Sequence, residues 1–509
     1  MKTNKIIIVG GGSAGWMAAA TLISQFPNKD ITVIESPNIP TVGVGESTLG
    51  NINEWLDLLG IKDEDFMPHT DASYKLSIRF EDFYEKGDGG FHYPFGPVIE
   101  ADRIGTKLLW YLKKHLNPET PITDYANSIY QNMALVNHNV LFKDEKKELE
   151  HFNFKYDVAY HFDATKFGLW LKEQYCKPKG VKHILEDVKT IETNEDGIIS
   201  LNNTHKADMF IDCTGFKSLL LGDTLKEPFE DYSYLLPNNK AWATRVPYKD
   251  KEKELVPYTN CTAIENGWVW NIPSWERIGT GYVYSDKYVS DEEALNEFKR
   301  HLDKKGSDYS NSEFKNISMR VGRHKRLFVK NVCAIGLAAG FIEPLESNGL
   351  LSVHEFLLNL LKVLRRGDCD KISQYDKDHF NVECARFFDN FTEFVSIHYA
   401  LSHREDTQYW KDINNKSFFD NRLKDETITA DITAKMHRNQ WFKSDSGHHC
   451  IGTGMRYFNY DVFDNSEYTE EDLFKIKLRE KEVNKWNIIC KDKPKLLQFL
   501  KDNIHKENK

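Results

Sequence analysis

Four short stretches of this 509-residue chain bring together groups with chemistry to offer. Gly10-x-Gly12-x-x-Gly15 follows the β-branched run Lys5 to Val9 and precedes the apolar stretch Trp16 to Ile23. Glycines at that spacing let the backbone approach a diphosphate and aim a helix N-terminus at it. Glu35 ends a second apolar run, Ile31 to Ile34, where an acid binds a pair of ribose hydroxyls. An adenine dinucleotide is the expected ligand.

The second stretch is FIEPLESNG, Phe341 to Gly349. It leads into a helical row, from Leu350 and Leu351 through Phe356 and Leu360 to Leu364, that closes with Lys362, Arg365, Arg366 and a Gly367 C-cap. Pro344 breaks what precedes it, and Glu346, Ser347, Asn348 and Gly349 form the helix mouth. Open amides and the positive dipole end make that mouth an anion site for halide, carboxylate or phosphate, with Ser347 or Asn348 as cap. Glu346 by itself reads equally well as a carboxylate that favours the dipole. Lys75, in the third stretch, alternates with Tyr74, Leu76, Ile78 and Phe80 and so shares a face with Ser77 and Arg79. On that pattern it is a solvated strand lysine. In the fourth, GWVWNIPSW, Trp268 and Trp270 share one face of a strand that Pro273 ends.

Elements must hold these groups in place. ADMFIDCTGF, Ala207 to Phe216, and NVCAIGLAAG, Asn331 to Gly340, are strands running into small-residue turns. Both resemble the late turns of flavin monooxygenases of the hydroxybenzoate hydroxylase type, which favours FAD over NAD. One departure is Gly336-Leu337, where many of those enzymes carry Gly-Asp. VGVGEST, Val42 to Thr48, reads as a turn and cap leading into a helix over Ile52 to Leu59. The expected fold is α/β: a Rossmann-like FAD-binding domain of that monooxygenase type, a β-sheet substrate region and a mainly helical C-terminal part. The expected division is residues 1–370, with insertions at about 75–155 and 230–325, and residues 371–509.

Composition narrows the function. A formal net charge of −10 without a basic stripe argues against nucleic acid, and 40% hydrophobic residues suffice for a large core. Eight cysteines lie scattered, so neither a disulfide framework nor a zinc site is expected. No run approaches the roughly 18 apolar residues of a membrane span. A cytoplasmic protein with no membrane or nucleic-acid partner and no metal is expected, its oligomeric state open. His448-His449-Cys450 reads as an exposed polar turn, and Phe442, Tyr457, Phe458 and Tyr460 supply aromatic surface.

In order along the chain, GGGSAGW, VGVGEST, GWVWNIP and FIEPLESNG resemble the flavin-dependent halogenases of the tryptophan halogenase family, over most of residues 1 to 410. AYHFDATKFGLWL, FIDCTGFKSLL and GYVYSDKYVS are similar to family sequence too. The resemblance implies that reduced FAD from a separate NAD(P)H-dependent flavin reductase, dioxygen and a halide ion yield hypohalous acid. An internal tunnel then carries it to a lysine beside an aromatic substrate of indole, phenol or aniline type. The lysine falls on Lys75, the carboxylate on Glu346, and the halide site on Asn348 and Gly349. Implied cofactor contacts are Gly10, Gly12, Ser13, Ala14 and Gly15, then Glu35, Gly45, Glu46, Ser47 and Val188, then Gly215, Leu337 and Ser347. Tyr93, Phe95, Trp268, Trp270 and Pro344 line the substrate and tunnel side, the two indoles as a wall between flavin and substrate. Asn348 stands where the family usually has threonine, and the choice among chloride, bromide and iodide stays open. Tyr93 falls where tryptophan-specific members place a histidine, with His92 one residue early. Free tryptophan is therefore a doubtful substrate. A flavin-dependent aromatic monooxygenase and a non-catalytic flavin-binding protein are the alternatives.

Overall fold

The structure, a computed structural model, describes residues 1–39, 46–98, 106–366, 371–414, 446–457 and 468–506. Gly45, Gly367, Phe442, Phe458 and Tyr460 lie outside the described residues. The chain forms two compact units with interleaved segments: residues 1–72, 161–241 and 315–393 in one, 73–160, 242–314 and 394–509 in the other.

The first unit is built on a six-stranded sheet in the order Phe328–Val329, Val332–Ala334, Met209–Asp212, Lys5–Val9, Asp30–Glu35, Lys182–Leu185. All neighbours run parallel except the first pair. The central strands are short apolar runs, as expected of a sheet buried on both faces, while the edge strand Lys182–Leu185 is partly exposed. Register aligns Val9 with Asp212 and with Ile34, and Asp212 with Ala334. The turns at Gly10, Gly215 and Gly336 therefore leave the sheet at one edge, the C-terminal edge where parallel sheets bind ligands. The helix Ser13–Gln25 follows the first turn, and its residues Gly15 through Ile23 are all buried.

The second unit holds a mixed sheet in the order Lys240–Val246, Ile278–Tyr284, Gly267–Pro273, Tyr258–Ile264, Ser77–Glu81, Gly90–Pro94. One face packs Ile264, Val269, Tyr282 and Tyr284 against Ala294, Phe298 and Leu302 of the helix Asp291–Lys305. That helix is locally well specified. Ser290 caps it, three acids fill its first turn, Lys304 and Lys305 its last, and Gly306 ends it in the left-handed region at φ 70°.

Among the described residues, the chain's last third is mainly helical, with Gln374–Ala400, Ser446–Gly454, Glu470–Lys491 and Leu496–Asn503. His448-His449-Cys450 is a correction. It lies in the helix Ser446–Gly454 with His449 and Cys450 buried, because the Phe394 ring packs against it, 5.0 Å from His448. Among the described residues, the cysteines are free and buried, no acidic, histidine and cysteine cluster could hold a metal, and no helix is long and apolar enough to cross a membrane.

Candidate active site

In the first unit the glycine turn is closed to side chains by its own backbone. A Cβ on Gly10 would lie 2.2 Å from Cys213 O, and one on Gly15 would lie 1.9 Å from Gly10 O. At Gly12 no side chain caps the helix Ser13–Gln25, whose first amides are left to a ligand. That cradle fits the diphosphate of FAD. Ser13 turns its hydroxyl to Ala164 O at 2.8 Å, so its backbone is what faces the cradle. Glu35 lies beneath Gly11, where an added Cβ would come within 2.3 Å of its carboxyl carbon. Its Oε2 is held by His183 Nε2 at 2.7 Å and Lys172 Nζ at 3.2 Å. Val188 follows three residues beyond the last edge strand, half-buried.

The turn at Gly336 closes on the first. Gly336, at φ 69°, would bring a Cβ to 2.9 Å from Ala14 Cβ, and Leu337 sits beside it in the turn Gly336–Ala338. Gly215, also at φ 69°, opens the turn Gly215–Lys217. Asp212 holds that turn and was missed by the sequence reading. Its Oδ1 accepts from Thr214 N at 3.1 Å and Thr214 Oγ1 at 2.6 Å, and its Oδ2 from Leu220 N at 2.7 Å and Leu221 N at 2.9 Å. Burial raises the carboxyl pKa, and these donors oppose the rise. An acid at a strand end just before Cys-Thr-Gly is the signal that could have found it.

The helix mouth is built as a double turn. Pro344 opens the 3-10 turn Pro344–Glu346, Ser347 N donates back to Pro344 O at 3.0 Å, and Ser347 takes the left-handed conformation at φ 58° before the helix Gly349–Arg366 starts. Glu346 is fully buried. Ser347 Oγ lies 3.2 Å from Ser47 Oγ, joining two motifs 300 residues apart. Asn348 does not use its side chain as a cap. Its Nδ2 donates to Glu343 O at 3.1 Å, which locks the turn and leaves the cap position to its backbone, whose carbonyl accepts from Ser352 N. Glu343, unremarked in the sequence, is equally buried and accepts from Asn238 Nδ2 at 3.0 Å. A cavity with about 10 Å³ of room for the centre of a water-sized sphere opens here among Leu337, Gly340, Phe341, Asn348, Gly349 and Ser352. That is space for about one water or small ion.

In the second unit Lys75 is fully buried, against the solvated position its alternation predicts. The cause is a break at Leu76 between the strands Ser73–Lys75 and Ser77–Glu81. Leu76 N donates to Pro257 O at 2.7 Å and Leu76 O accepts from Phe95 N at 2.8 Å. This brings the Phe95 ring to 4.9 Å from Lys75 Nζ, a cation–π distance. Tyr93 is edge-on to Phe95 and to Phe394, at 6.4 and 6.1 Å. Gly447 covers the Tyr93 hydroxyl, and a Cβ there would lie 2.8 Å from it. His92 Nδ1 pairs with Ser77 Oγ at 3.0 Å. Burial, aided by the Arg79 charge, pushes its imidazole down to about 3, so it is neutral.

Trp268 and Trp270 lie side by side in the strand Gly267–Pro273, both buried, with ring centroids 6.2 Å apart. The indole of Trp270 lies over Gly281 on the next strand, where a Cβ would meet its ring carbons at 2.2 Å. Among the described residues the Trp270 Nε1 is buried without a hydrogen-bond partner.

Comparison with known proteins decides the family. The tryptophan halogenase family profile matches residues 5–462. The chain belongs to the flavin-dependent tryptophan halogenase family. A tryptophan 6-halogenase, ThaL of Streptomyces albogriseolus, is 33% identical over 489 residues, covering 88% of this chain and 89% of the relative. The apo structure of VirX1 is 38% identical, with TM-score 0.92, and covers 99% of this chain and all of that one. Tar14, a tryptophan C-6 flavin-dependent halogenase from taromycin biosynthesis, matches at 30% identity and TM-score 0.82 over 98% of this chain and 99% of its own. The α/β fold, with its mixed sheets and helical C-terminal region, is that of the flavin-dependent halogenases, and this halogenase is an enzyme of that class. Family membership implies FAD as cofactor, halide as a substrate, a flavin reductase and an aromatic substrate. Phe394 and Gly447 escaped the sequence reading because their partner Tyr93 lies far off in sequence, and Gly281 because its place opposite Trp270 depends on strand register.

Proposed function

We propose that the enzyme halogenates an electron-rich aromatic ring of indole, phenol or aniline type, with Lys75 of the second unit and Glu346 of the first as its working side chains. The observation that carries this reading is the burial of Lys75 against Phe95, an ammonium kept from water and beside an aromatic surface. The nucleotide-binding framework is read as of the hydroxybenzoate hydroxylase type. The Gly10–Gly15 cradle holds the FAD diphosphate, with Glu35, Ser47, Val188, Gly215, Leu337 and Ser347 as further contacts. Glu46 and Gly45 belong to the same proposal on family resemblance. Bound reduced FAD supplies, with dioxygen, the two-electron oxidant that turns halide into hypohalous acid.

The chain's own groups do the rest. The amides at Asn348 and Gly349 hold the halide at the positive helix end. Trp268 and Trp270 keep the ring from the oxidising centre while Pro344 borders the way through. The Lys75 ammonium donates to hypohalous acid and makes its halogen more electrophilic. The ring attacks the halogen as its bond to oxygen breaks, the departing hydroxide takes a proton from the Lys75 ammonium and leaves as water, and the Glu346 carboxylate takes the ring proton. Tyr93 and Phe95 face the substrate ring. Similarity to tryptophan halogenases makes an indole the first substrate to try, and Tyr93 in the histidine position favours indoles other than free tryptophan.

The test supplies purified enzyme with FAD, NADH, a flavin reductase and chloride, bromide or iodide, together with indoles, phenols and anilines, and reads products by mass spectrometry. Halogenated product that vanishes in Lys75→Ala supports the proposal. Gain of one oxygen without halide points to a monooxygenase, and tight FAD binding without any product points to a binding protein; either outcome ends it.

A further inference from the structure

Trp275, the third indole of the tryptophan stretch, has no part in the reading above, and neither has the end of the chain. LLQFLKDNI, residues 496–504, repeats apolar residues at helical spacing. It forms the helix Leu496–Asn503 with Leu496, Phe499 and Leu500 buried. The helix is anchored at its start. Lys495 bridges to Val140, Leu141 N donates to Pro494 O at 3.2 Å, and Leu496 N donates to Asn139 O at 2.9 Å.

From that anchor the helix sets Phe499 against Tyr74, the neighbour of Lys75, at 5.9 Å between rings. Phe154 and Tyr160 complete the enclosure of Tyr74, at 5.3 and 5.7 Å. Beyond the helix, His505 lies flat on Trp275, with centroids 4.1 Å apart and planes 9° from parallel. Lys251 Nζ stands 3.6 Å from the centroid of the same indole. Trp275 is two residues past Pro273, whose carbonyl accepts from Ser73 Oγ at 2.6 Å. The chain end thus grips both sides of one joint, where the strand Ser73–Lys75 meets the end of the tryptophan strand.

We propose that Leu496–His505 is a clamp that positions Lys75, with Phe499 bracing Tyr74 and His505 bracing Trp275. The strand Ser73–Lys75 is a three-residue edge strand, at the short end of strand lengths, and the braces add to its pairing. Phe499 and His505 act through Tyr74 and Trp275 and are positioning residues. The clamp rests on the role of Lys75 proposed above.

Two readouts test it in the full-length enzyme. One is acylation of Lys75 by a water-soluble amine reagent, followed by peptide mass spectrometry without cofactor. The other is the division of oxidising equivalents between ring product and a diketone trap in bulk solution. Phe499→Ala and His505→Ala are expected to raise Lys75 labelling and to lower product against trapped oxidant by about tenfold at unchanged flavin oxidation, within the roughly hundredfold that an ångström of misplacement costs. Phe499→Leu and His505→Phe, which keep the packing and the stack, should restore most of both. Wild-type labelling and wild-type division in folded Phe499→Ala and His505→Ala enzymes would overturn the clamp. Should Phe499→Ala fail to fold, the half-buried His505 decides alone. A wild-type enzyme without Lys75-dependent product defeats the proposed function instead, and Lys75 labelling still judges the clamp.

Discussion

At Lys75 burial and charge pull in opposite directions, since an ammonium removed from water is costly and a solvated strand position would avoid the cost. The break at Leu76 that buries it is a tertiary feature, made by Pro257 and Phe95. Replacing Lys75 with alanine is expected to reduce ring halogenation to below about one-hundredth while flavin oxidation continues. Lys75→Met, which fills the same space, separates lost chemistry from lost packing. Glu346→Gln should slow halogenation without removing FAD binding, and an unchanged single-turnover rate would strip Glu346 of its role. Asp212 belongs to the same scale. Asp212→Ala leaves the buried amides of Leu220 and Leu221 without an acceptor and should cost about 1–3 kcal/mol for each. FAD affinity, read by flavin fluorescence, should fall with it.

Among the elements, the tryptophan strand shows how far a pattern reaches. Period two places Trp268 and Trp270 on one face, and they do lie side by side. What holds Trp270 flat is the absence of a side chain at Gly281 on the neighbouring strand, a pairing that no local pattern signals. Gly281→Ala would drive a methyl into the indole, with Trp242 O only 2.6 Å away on the other side. A loss of about 1–3 kcal/mol in urea unfolding is expected, along with a shift of tryptophan fluorescence; an unaltered spectrum would show that the indole has room to move. The helix mouth was legible in outline. Its turn-then-helix order followed from spacing, with the helix expected from Asn348 and found over Gly349–Arg366. The lock of Asn348 on Glu343 and the meeting of Ser347 with Ser47 did not, because the first depends on the left-handed turn at Ser347 and the second on a partner 300 residues away.

At the scale of the whole molecule, burial lowers four histidines among the described residues: His92 and His354, each pushed down to about 3, His301, pushed down to about 4, and His324. Among the described residues neither ring nitrogen of His354 finds a hydrogen-bond partner, and its Nδ1 stands 3.7 Å from Glu355. Each folded-state value lies below the ordinary 6.5, so the unfolded chain binds more protons in between. Their contribution to stability is complete above about 6.5 and is lost as the pH falls toward 3–4. Urea midpoints should therefore decline from about pH 6.5 downward, and His354→Leu should flatten that decline by about one proton. A variant with the wild-type slope would mean that His354 does not titrate on unfolding. The sequence by itself determined the glycine turns and the order of the motifs, because glycine spacing and strand-turn-helix succession are local and carry their own geometry, and the chemistry came with the family those motifs resemble. Only the tertiary structure decided that Lys75 is buried, that Asp212 ties a glycine turn together, that Gly281 makes room for Trp270 and that the chain end reaches Tyr74 and Trp275. Those outcomes depend on which backbone, near or far in sequence, fills the space beside a residue, and one-dimensional patterning does not encode that space.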